Sequence, residues 1–195
     1  MENEIIKERF LGTIFGQAVG DALGLSTEFM SKQEVDRFYP NGIEDYSQIV
    51  QDDHRRRWQR GDWTDDTDMM LCILDSFVAC QKVDILDIAR RFKEWMMNGG
   101  MGIGRHTYCL DDEKSMGYTL RTLGAALWAY WHATSYKEGI LKIVLSGGDA
   151  DTNAAVAGAI LGAKFGINQI PEEWKDGLLY ASMLHNKVQN LYSMV

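Results

Sequence analysis

GDADTNAAVAGAILGAKFG, at residues 148–166, is the stretch that decides the fold of this chain. Alanine and larger apolar residues recur through it at helical intervals, and its final glycine is a typical helix stop. Residues 153–164 are therefore predicted to form an alanine-rich helix, which begins directly after a pair of aspartates.

The same helical period recurs along the rest of the chain, and no segment shows the sustained apolar-polar alternation that a sheet requires. The fold class is therefore predicted to be all-α, as a compact single-domain helical bundle over residues 1–195. The predicted helices span residues 5–22, 68–80, 85–96, 120–132, 140–145, 153–164 and 175–191.

Three glycines fall on one side of the first predicted helix, at four-residue spacing: Gly12, Gly16 and Gly20. Glycine weakens a helix, so a repeated glycine face needs a compensating use. We expect this face to let the backbone of another helix pack closely.

The composition indicates a folded, acidic protein. Of 195 residues, 46% are hydrophobic and 25% charged, which argues against intrinsic disorder. A formal charge of -8 repels nucleic-acid phosphates and anionic membranes, so neither is expected as a partner. The three cysteines lack CxxC spacing, and the N-terminus lacks the pattern of a signal peptide. The predicted location is therefore cytoplasmic.

An acidic cluster, WTDDTD at residues 63–68, stands where a loop is predicted to enter a helix. Its five successive oxygen-bearing side chains suit a hard cation such as Mg2+, Mn2+ or Ca2+. Ordinary N-terminal capping, which needs only one or two of them, is the alternative explanation. The five are Thr64, Asp65, Asp66, Thr67 and Asp68.

A second cluster, SGGDADTN at residues 146–153, precedes the alanine-rich helix. Its two glycines permit an unusual backbone, and Asp149 and Asp151 can point to one side of an irregular loop. Capping by the residues after Asp151 is again the alternative. Two such clusters in one chain favour a cation, because crowded like charges are unfavourable unless they are neutralised.

Glu28 belongs to a third feature, GDALGLSTEF at residues 20–29, where glycines are expected to end the first helix. A glutamate in this setting can serve as a base or as a metal ligand, although a surface glutamate is the more common finding.

A basic run, HRRRWQR at residues 54–60, lies just before the first acidic cluster. A solvated loop is the ordinary explanation of such a run. Its position suggests a second one, in which the run holds the phosphates of an anionic substrate.

The three acidic segments, in their order along the chain, resemble the signature of the ADP-ribosylglycohydrolase family. The matching stretches are residues 12–29, 63–77, 102–107 and 117–166. The resemblance implies an all-α fold with a central cleft that holds two divalent cations, Mg2+ or Mn2+. It also implies a hydrolase that cleaves the glycosidic bond between ADP-ribose and a protein side chain, a nucleobase or a small molecule. Nucleic acid is then expected only as an ADP-ribosylated substrate.

The resemblance also implies roles for particular residues. The implied metal ligands are Thr64, Asp65, Asp66, Asp149, Asp151 and Thr152. The implied catalytic residues are Glu28, Asp66 and Asp151, with a base or gating role for Glu28. The implied substrate-binding residues are Gly102, Ile103, Gly104, Gly147 and Gly148, although a flexible interhelical loop also explains the first three.

The chain departs from the family pattern in its middle. Only the short polar run of residues 111–116 separates Leu110 from Gly117, where many members carry a further stretch that shapes the cleft. Gly102 also stands where members of the nitrogenase type have an aspartate. A catalytically weak or inactive relative that binds ADP-ribose or a nucleotide, or a structural protein, is therefore one alternative. A two-metal hydrolase of another ribosyl or phosphoryl compound is the other.

Overall fold

The structure, a computed structural model, describes residues 2–100 and 116–194, with side chains from Thr122 onward in the second range. Within these ranges the chain forms nine α-helices and no strand, which confirms the predicted all-α class. None of these helices is both long and apolar enough to cross a membrane. They are α1 Glu2–Gly24, α2 Lys32–Phe38, α3 Asp65–Cys80, α4 Ile85–Met97, α5 Met116–His132, α6 Tyr136–Val144, α7 Ala150–Phe165, α8 Glu172–Asp176 and α9 Ala181–Tyr192.

Helices α1 and α7 pack directly against each other, because small residues face each other along both. The facing pairs are Gly12 with Gly162, Gly16 with Gly158, Gly20 with Ala154 and Gly24 with Ala150. A Cβ added to any of these glycines would come closer than 3.0 Å to the facing backbone. The predicted close approach at the glycines of α1 is thereby confirmed, and its partner is the alanine-glycine face of α7.

The pairing is antiparallel, so the C-terminal end of α1 meets the N-terminal end of α7. Tyr136 of α6 supports the contact, since its buried hydroxyl donates a 2.7 Å hydrogen bond to the carbonyl of Gly16. The helix contact therefore brings the third sequence feature, around Glu28, next to the second acidic cluster.

Helices α3 and α7 both begin earlier than the periodicity predicts. Asp65 and Asp66 form the first turn of α3, and Asp151 lies in the first turn of α7, where an irregular loop was expected. Asp149 occupies the N-cap position of α7. Most of the acidic donors thus stand on helical backbone, which fixes their spacing.

The short helix α2 is absent from the predicted helices, although its sequence carries a start signal. Ser31 and Glu34 form a reciprocal capping box, with each side chain bonded to the backbone of the other residue. Only Val35 of this helix is buried, so its apolar periodicity is weak.

The prediction of one final helix over residues 175–191 is wrong. The chain forms α8 and α9 instead, interrupted between Gly177 and Tyr180. The amide of Leu179 donates to the carbonyl of Gly61 at 2.8 Å, and Gly61 packs against the backbone of Gly177. This contact with a distant loop replaces the helical hydrogen bond that the amide would otherwise make.

Candidate functional site

The N-terminus of α3 is held by Asp21, a fully buried carboxylate of α1. One of its oxygens accepts a hydrogen bond from the Thr64 hydroxyl at 2.8 Å, and the Thr64 amide lies 3.1 Å from both. The other oxygen accepts from the amide and hydroxyl of Thr67 at 3.0 and 2.6 Å. Asp21 therefore caps α3 from another helix, and the Thr64 side chain makes no capping bond.

The structure separates the members of the first acidic cluster. Both carboxylate oxygens of Asp68 accept hydrogen bonds from indole nitrogens, one from Trp63 and one from Trp95, each at 2.9 Å. Asp68 thus joins α3 to α4, while Thr67 serves Asp21. These two side chains are committed to structural contacts, which leaves Thr64, Asp65 and Asp66 as candidate ligands.

Asp66 points toward the second cluster. Burial raises the pKa of Asp66 to about 6, and the negative charges of Asp149 and Glu28 act in the same direction. A hydrogen bond with the Thr152 side chain lowers the pKa and offsets part of the increase. The two clusters, which lie far apart in the sequence, therefore meet at Asp66.

Asp151 is the most deeply buried of the predicted carboxylate ligands, with 5% of its surface exposed. Its Oδ1 is buried and has no hydrogen-bond partner among the residues that the structure describes. Burial raises its pKa well above the usual value, and the charges of Glu28, Asp21 and Asp66 add to this effect. Asp149, at the N-cap position of α7, makes no side-chain capping bond. Capping therefore does not explain the second pair of aspartates.

The glycine pair ahead of α7 binds the loop that carries Glu28. Gly147 and Gly148 both have positive φ, at 71° and 73°, and a Cβ on Gly147 would collide with the Met30 carbonyl. The amide of Gly148 donates to the carbonyl of Met30 at 2.9 Å, and the carbonyl of Gly148 accepts from the amide of Phe29 at 2.6 Å. The substrate-binding role of the pair stays a prediction, and Gly102, Ile103 and Gly104 lie outside the described residues.

The basic run contacts the same loop. Arg55 is only 3% exposed; it donates to the Ser26 carbonyl at 2.8 Å and also contacts the Glu28 carbonyl and the Asp52 carboxylate. His54 Nε2 lies 2.5 Å from Glu28 Oε2. Part of the run is thus neither a solvated loop nor turned outward toward phosphates.

The donor set fits hard divalent cations in its chemistry. Carboxylates of both clusters and Glu28 interact electrostatically, and a buried carboxylate oxygen lacks a partner, so a cation would relieve an existing charge imbalance. The contacting side chains do not form a finished coordination sphere. Among residues 2–100 and 116–194, no three His, Cys, Asp or Glu side chains are grouped closely enough to hold a metal ion.

Sequence reasoning missed two residues of this site, Asp21 and His54. Asp21 is a lone carboxylate between apolar residues near the end of α1, a position that signals a satisfied internal contact. His54 stands directly before three arginines, so the sequence indicated a basic run and gave no sign of its contact with Glu28.

Comparisons with known proteins agree on one family. A sequence model of the family ADP-ribosylglycohydrolase matches residues 2–112 and 105–195. An ADP-ribosylarginine hydrolase, Tri1, from Serratia proteamaculans is 38% identical over 84 residues, which are 43% of this chain and 23% of that protein. The solved structure of an ADP-ribosylglycohydrolase-related protein complex has a TM-score of 0.72 at 21% identity and covers 96% of this chain and 98% of that one.

A third relative shows that the chain is shorter than a protein that it matches along most of its length. The ADP-ribosyl-[dinitrogen reductase] glycohydrolase of Rhodospirillum rubrum is 23% identical over 280 aligned positions, which include 89% of this chain and 91% of that protein. Since this chain has only 195 residues, the relative contains long insertions. The two family matches overlap at residues 105–112, ahead of α5. Together the two matched segments span nearly the whole chain, which therefore belongs to the ADP-ribosylglycohydrolase family.

Proposed function

We propose that this protein is a metal-dependent hydrolase that cleaves the glycosidic bond between ADP-ribose and an acceptor. The observation that carries the proposal is the meeting of Asp66, Asp151 and Glu28, buried or partly buried carboxylates with mutual charge repulsion, one of which has an unpartnered oxygen. Such an arrangement is costly for stability and is typical of functional sites.

Two divalent cations, Mg2+ or Mn2+, would be held by the remaining donors at the starts of α3 and α7. We assign one set to Thr64, Asp65 and Asp66 and the other to Asp149, Asp151 and Thr152. When bound, the cations would orient the ribose hydroxyls and lower the pKa of a water molecule. The cleft that accommodates them belongs to this proposal.

Glu28 is the proposed general base. Glu28 is 8% exposed, and it lies close enough to Asp66 and Asp151 to influence the pKa of both. Hydrolysis at C1 of ribose needs a nucleophilic water and stabilisation of an oxocarbenium-like centre. Glu28 would accept the proton of that water, while the neighbouring carboxylates favour the developing positive charge.

An arginine side chain is the acceptor to test first. The relatives from Serratia proteamaculans and Rhodospirillum rubrum are named for ADP-ribosylarginine and ADP-ribosyl-dinitrogen reductase, respectively. The chain spans about a quarter of the first relative and lacks long segments of the second, so its own acceptor can differ.

Release of free ADP-ribose from arginine-, serine- and nucleobase-linked substrates tests the proposal. Wild-type protein with Mg2+ should release ADP-ribose, EDTA should stop release, and Asp151→Asn should reduce it at least about a hundredfold. Asp36→Asn is the matched control, because the Asp36 side chain is 64% exposed and pairs with Lys32 in α2.

A binding protein without catalysis is the second candidate function, favoured by the long segments that this chain lacks relative to the Rhodospirillum rubrum protein. It would give metal-dependent binding of ADP-ribose in calorimetry without release from any of the three substrates. Release from a different ribosyl or phosphoryl compound alone would instead identify a hydrolase with another substrate.

A further inference from the structure

The basic segment of residues 54–58 wraps around the loop that carries Glu28. Arg55 is buried beneath the loop and contacts the carbonyls of both Ser26 and Glu28. Asp52 neutralises its guanidinium and also accepts from the amides of His54 and Arg55, at 3.0 and 2.8 Å. The segment is thus anchored by a buried charge, and this anchor fixes the position of the His54 backbone.

His54 connects the segment to the Glu28 side chain. Its Nε2 lies 2.5 Å from Glu28 Oε2, while its Nδ1 contacts the guanidinium of Arg57. Arg57 also donates from Nε to the His54 carbonyl at 2.9 Å, so the arginine is folded back on the histidine. A guanidinium only donates hydrogen bonds, so Nδ1 must accept and carry no proton. The ring proton of a neutral His54 therefore lies on Nε2, directed at Glu28.

Aromatic neighbours hold the His54 ring in this orientation. The ring of Phe29 lies 5.1 Å away and that of Trp58 5.4 Å away, measured between centroids, and Arg57 stacks over Trp58 at 4.6 Å. Phe29 adopts a φ of 60°, which is uncommon outside glycine and persists only where surrounding contacts impose it. The hydrogen bond from its amide to the carbonyl of Gly148 is one such contact.

We propose that His54 is a positioning residue for Glu28 and that Arg57 fixes the tautomer of His54. The bond from Nε2 engages Oε2 of Glu28 and leaves Oε1 to accept a proton from water. The basic run then acts through the base instead of binding the substrate phosphates. The inference rests on the proposed function only for the role of Glu28 as a base. The contacts of Arg57 with His54 and of His54 with Glu28 are present whether or not the protein is a hydrolase.

Nitrogen NMR of protein labelled with 15N-histidine tests the contacts without any assay of activity. The chain has four histidines, and loss of a signal in His54→Gln assigns His54. At pH 8 the wild type should show the Nε2-protonated tautomer. Arg57→Gln should shift His54 toward a mixture of tautomers. Arg56→Gln is the matched control and should change nothing, because the neighbouring Arg56 side chain is 67% exposed and pairs with Asp53. An Nδ1-protonated wild type, or an unchanged signal in Arg57→Gln, would overturn the proposal.

Kinetics with the best substrate separate positioning from phosphate binding. His54→Ala should lower kcat about 10- to 100-fold and change KM less than about threefold. His54→Gln should recover most of the loss, because its amide nitrogen can donate from a position similar to that of Nε2. A raised KM with unchanged kcat would indicate phosphate binding and refute the positioning role. Wild type without release of ADP-ribose would refute the proposed function, while the NMR result would still decide whether Arg57 and Glu28 hold His54.

Discussion

At the scale of single residues, the site depends on buried carboxylates with different duties. Asp21 accepts bonds from two threonines and carries no exposed surface, whereas Asp151 is nearly as buried and has an oxygen without a partner. The first holds the backbone and the Thr64 hydroxyl in place. The second can accept a further bond, and under the proposed function its partner is a cation.

Asp21→Asn should weaken binding of Mn2+ about 10- to 100-fold, measured by calorimetry. A hydroxyl that binds a metal uses an oxygen lone pair, so its proton needs an acceptor elsewhere, and Asp21 is that acceptor for Thr64. An amide group would place a donor against one of the two threonines.

Thr67→Val is the matched control, because it removes a hydroxyl bond to Asp21 but leaves Thr64 in place. It should change the affinity less than about threefold. If Asp21 acts through Thr64, then adding Asp21→Asn to Thr64→Val should produce little further loss. Wild-type affinity in a folded Asp21→Asn protein would contradict the role of Asp21.

Asp151→Asn should raise the Tm of the metal-free protein while abolishing the increase in Tm that Mg2+ produces. The substitution removes a buried charge that faces Glu28, Asp21 and Asp66, and the new amide can donate to a neighbouring carboxylate. An increase of about 2 to 4 °C corresponds to roughly 1 kcal/mol in a chain of this size. Calorimetric melting checks both effects.

Asp68→Asn supplies the contrast. Both Asp68 oxygens accept from indole nitrogens, so an amide nitrogen there would face a donor and leave the indole of Trp63 or Trp95 unpaired. The Tm of this variant should fall, and its affinity for Mn2+ should stay within about threefold of the wild type.

A fall in Tm for Asp151→Asn would mean that the charge of Asp151 is already compensated in the metal-free protein.

At the scale of the elements, the contact between α1 and α7 builds the site. Glycine and alanine face each other along its whole length, and the ends that meet carry Asp21 on one helix and Asp151 on the other. The segment of residues 148–166 thus contributes to both the fold and the site. Its small residues allow α1 to pack closely, and its aspartates lie at the end of α7 that meets the C-terminal end of α1.

Gly158→Ala should destabilise the protein by about 2 to 3 kcal/mol, or roughly 5 to 10 °C in Tm, because the new methyl group would overlap the Gly16 carbonyl. The helices would have to separate, so Mn2+ affinity should fall as well. Thermal melting and calorimetry measure the two effects.

Gly124→Ala is the control for helix propensity. Among the described residues, a Cβ at this position of α5 meets nothing within 4 Å, so the change should stabilise the protein by about 0.5 to 1 kcal/mol. Equal and small effects of the two substitutions would show that the helices adjust to the added methyl group.

At the scale of the whole molecule, charge dominates. The chain carries a net charge of -8, and several of its carboxylates are buried at one place. Surface carboxylates behave differently, since hydrogen bonds from Lys142 and Thr134 lower the pKa of Glu138 to about 2. Such a surface group loses its stabilising effect as the pH falls below the usual value of 4.5, whereas the raised pKa of the buried carboxylates acts in the opposite direction and at higher pH.

The Tm of the metal-free protein should fall as the pH rises from 5 to 7. A carboxyl group whose pKa is raised in the folded state binds its proton more tightly there than in the unfolded chain, so folding loses stability as the pH passes from the unfolded pKa to the folded one. For Asp66 this window runs from the usual value of 3.8 to about 6. Asp21 and Asp151, both raised well above that usual value, act in the same direction.

Mg2+ should raise the Tm, and by more at pH 7 than at pH 5, because cation binding requires deprotonated carboxylates. The measurement is a series of melting curves over this pH range with Mg2+ or EDTA. Asp66→Asn should flatten the dependence in EDTA. A Tm in EDTA that rises steadily from pH 5 to pH 7 would be incompatible with the charge repulsion described for this site.

Much of the element structure was determined by sequence alone. The helical period placed α1, α4 and α7 within a few residues, and the glycine face of α1 correctly indicated a close helix contact. These features are local, since backbone propensity and side-chain spacing act within a few turns. The donor types of the two acidic clusters were also legible in the sequence, because the chemistry of a carboxylate or hydroxyl does not depend on the fold.

Only the tertiary structure decided which donors meet. Asp21 reaches Thr64 across 43 positions, the two tryptophans withdraw Asp68 from the cluster, and His54 finds Glu28 across 26 positions. The break between α8 and α9 likewise follows from a bond between Leu179 and Gly61. Each of these depends on the packing of distant segments, and sequence periodicity contains no information about which buried group will satisfy which donor.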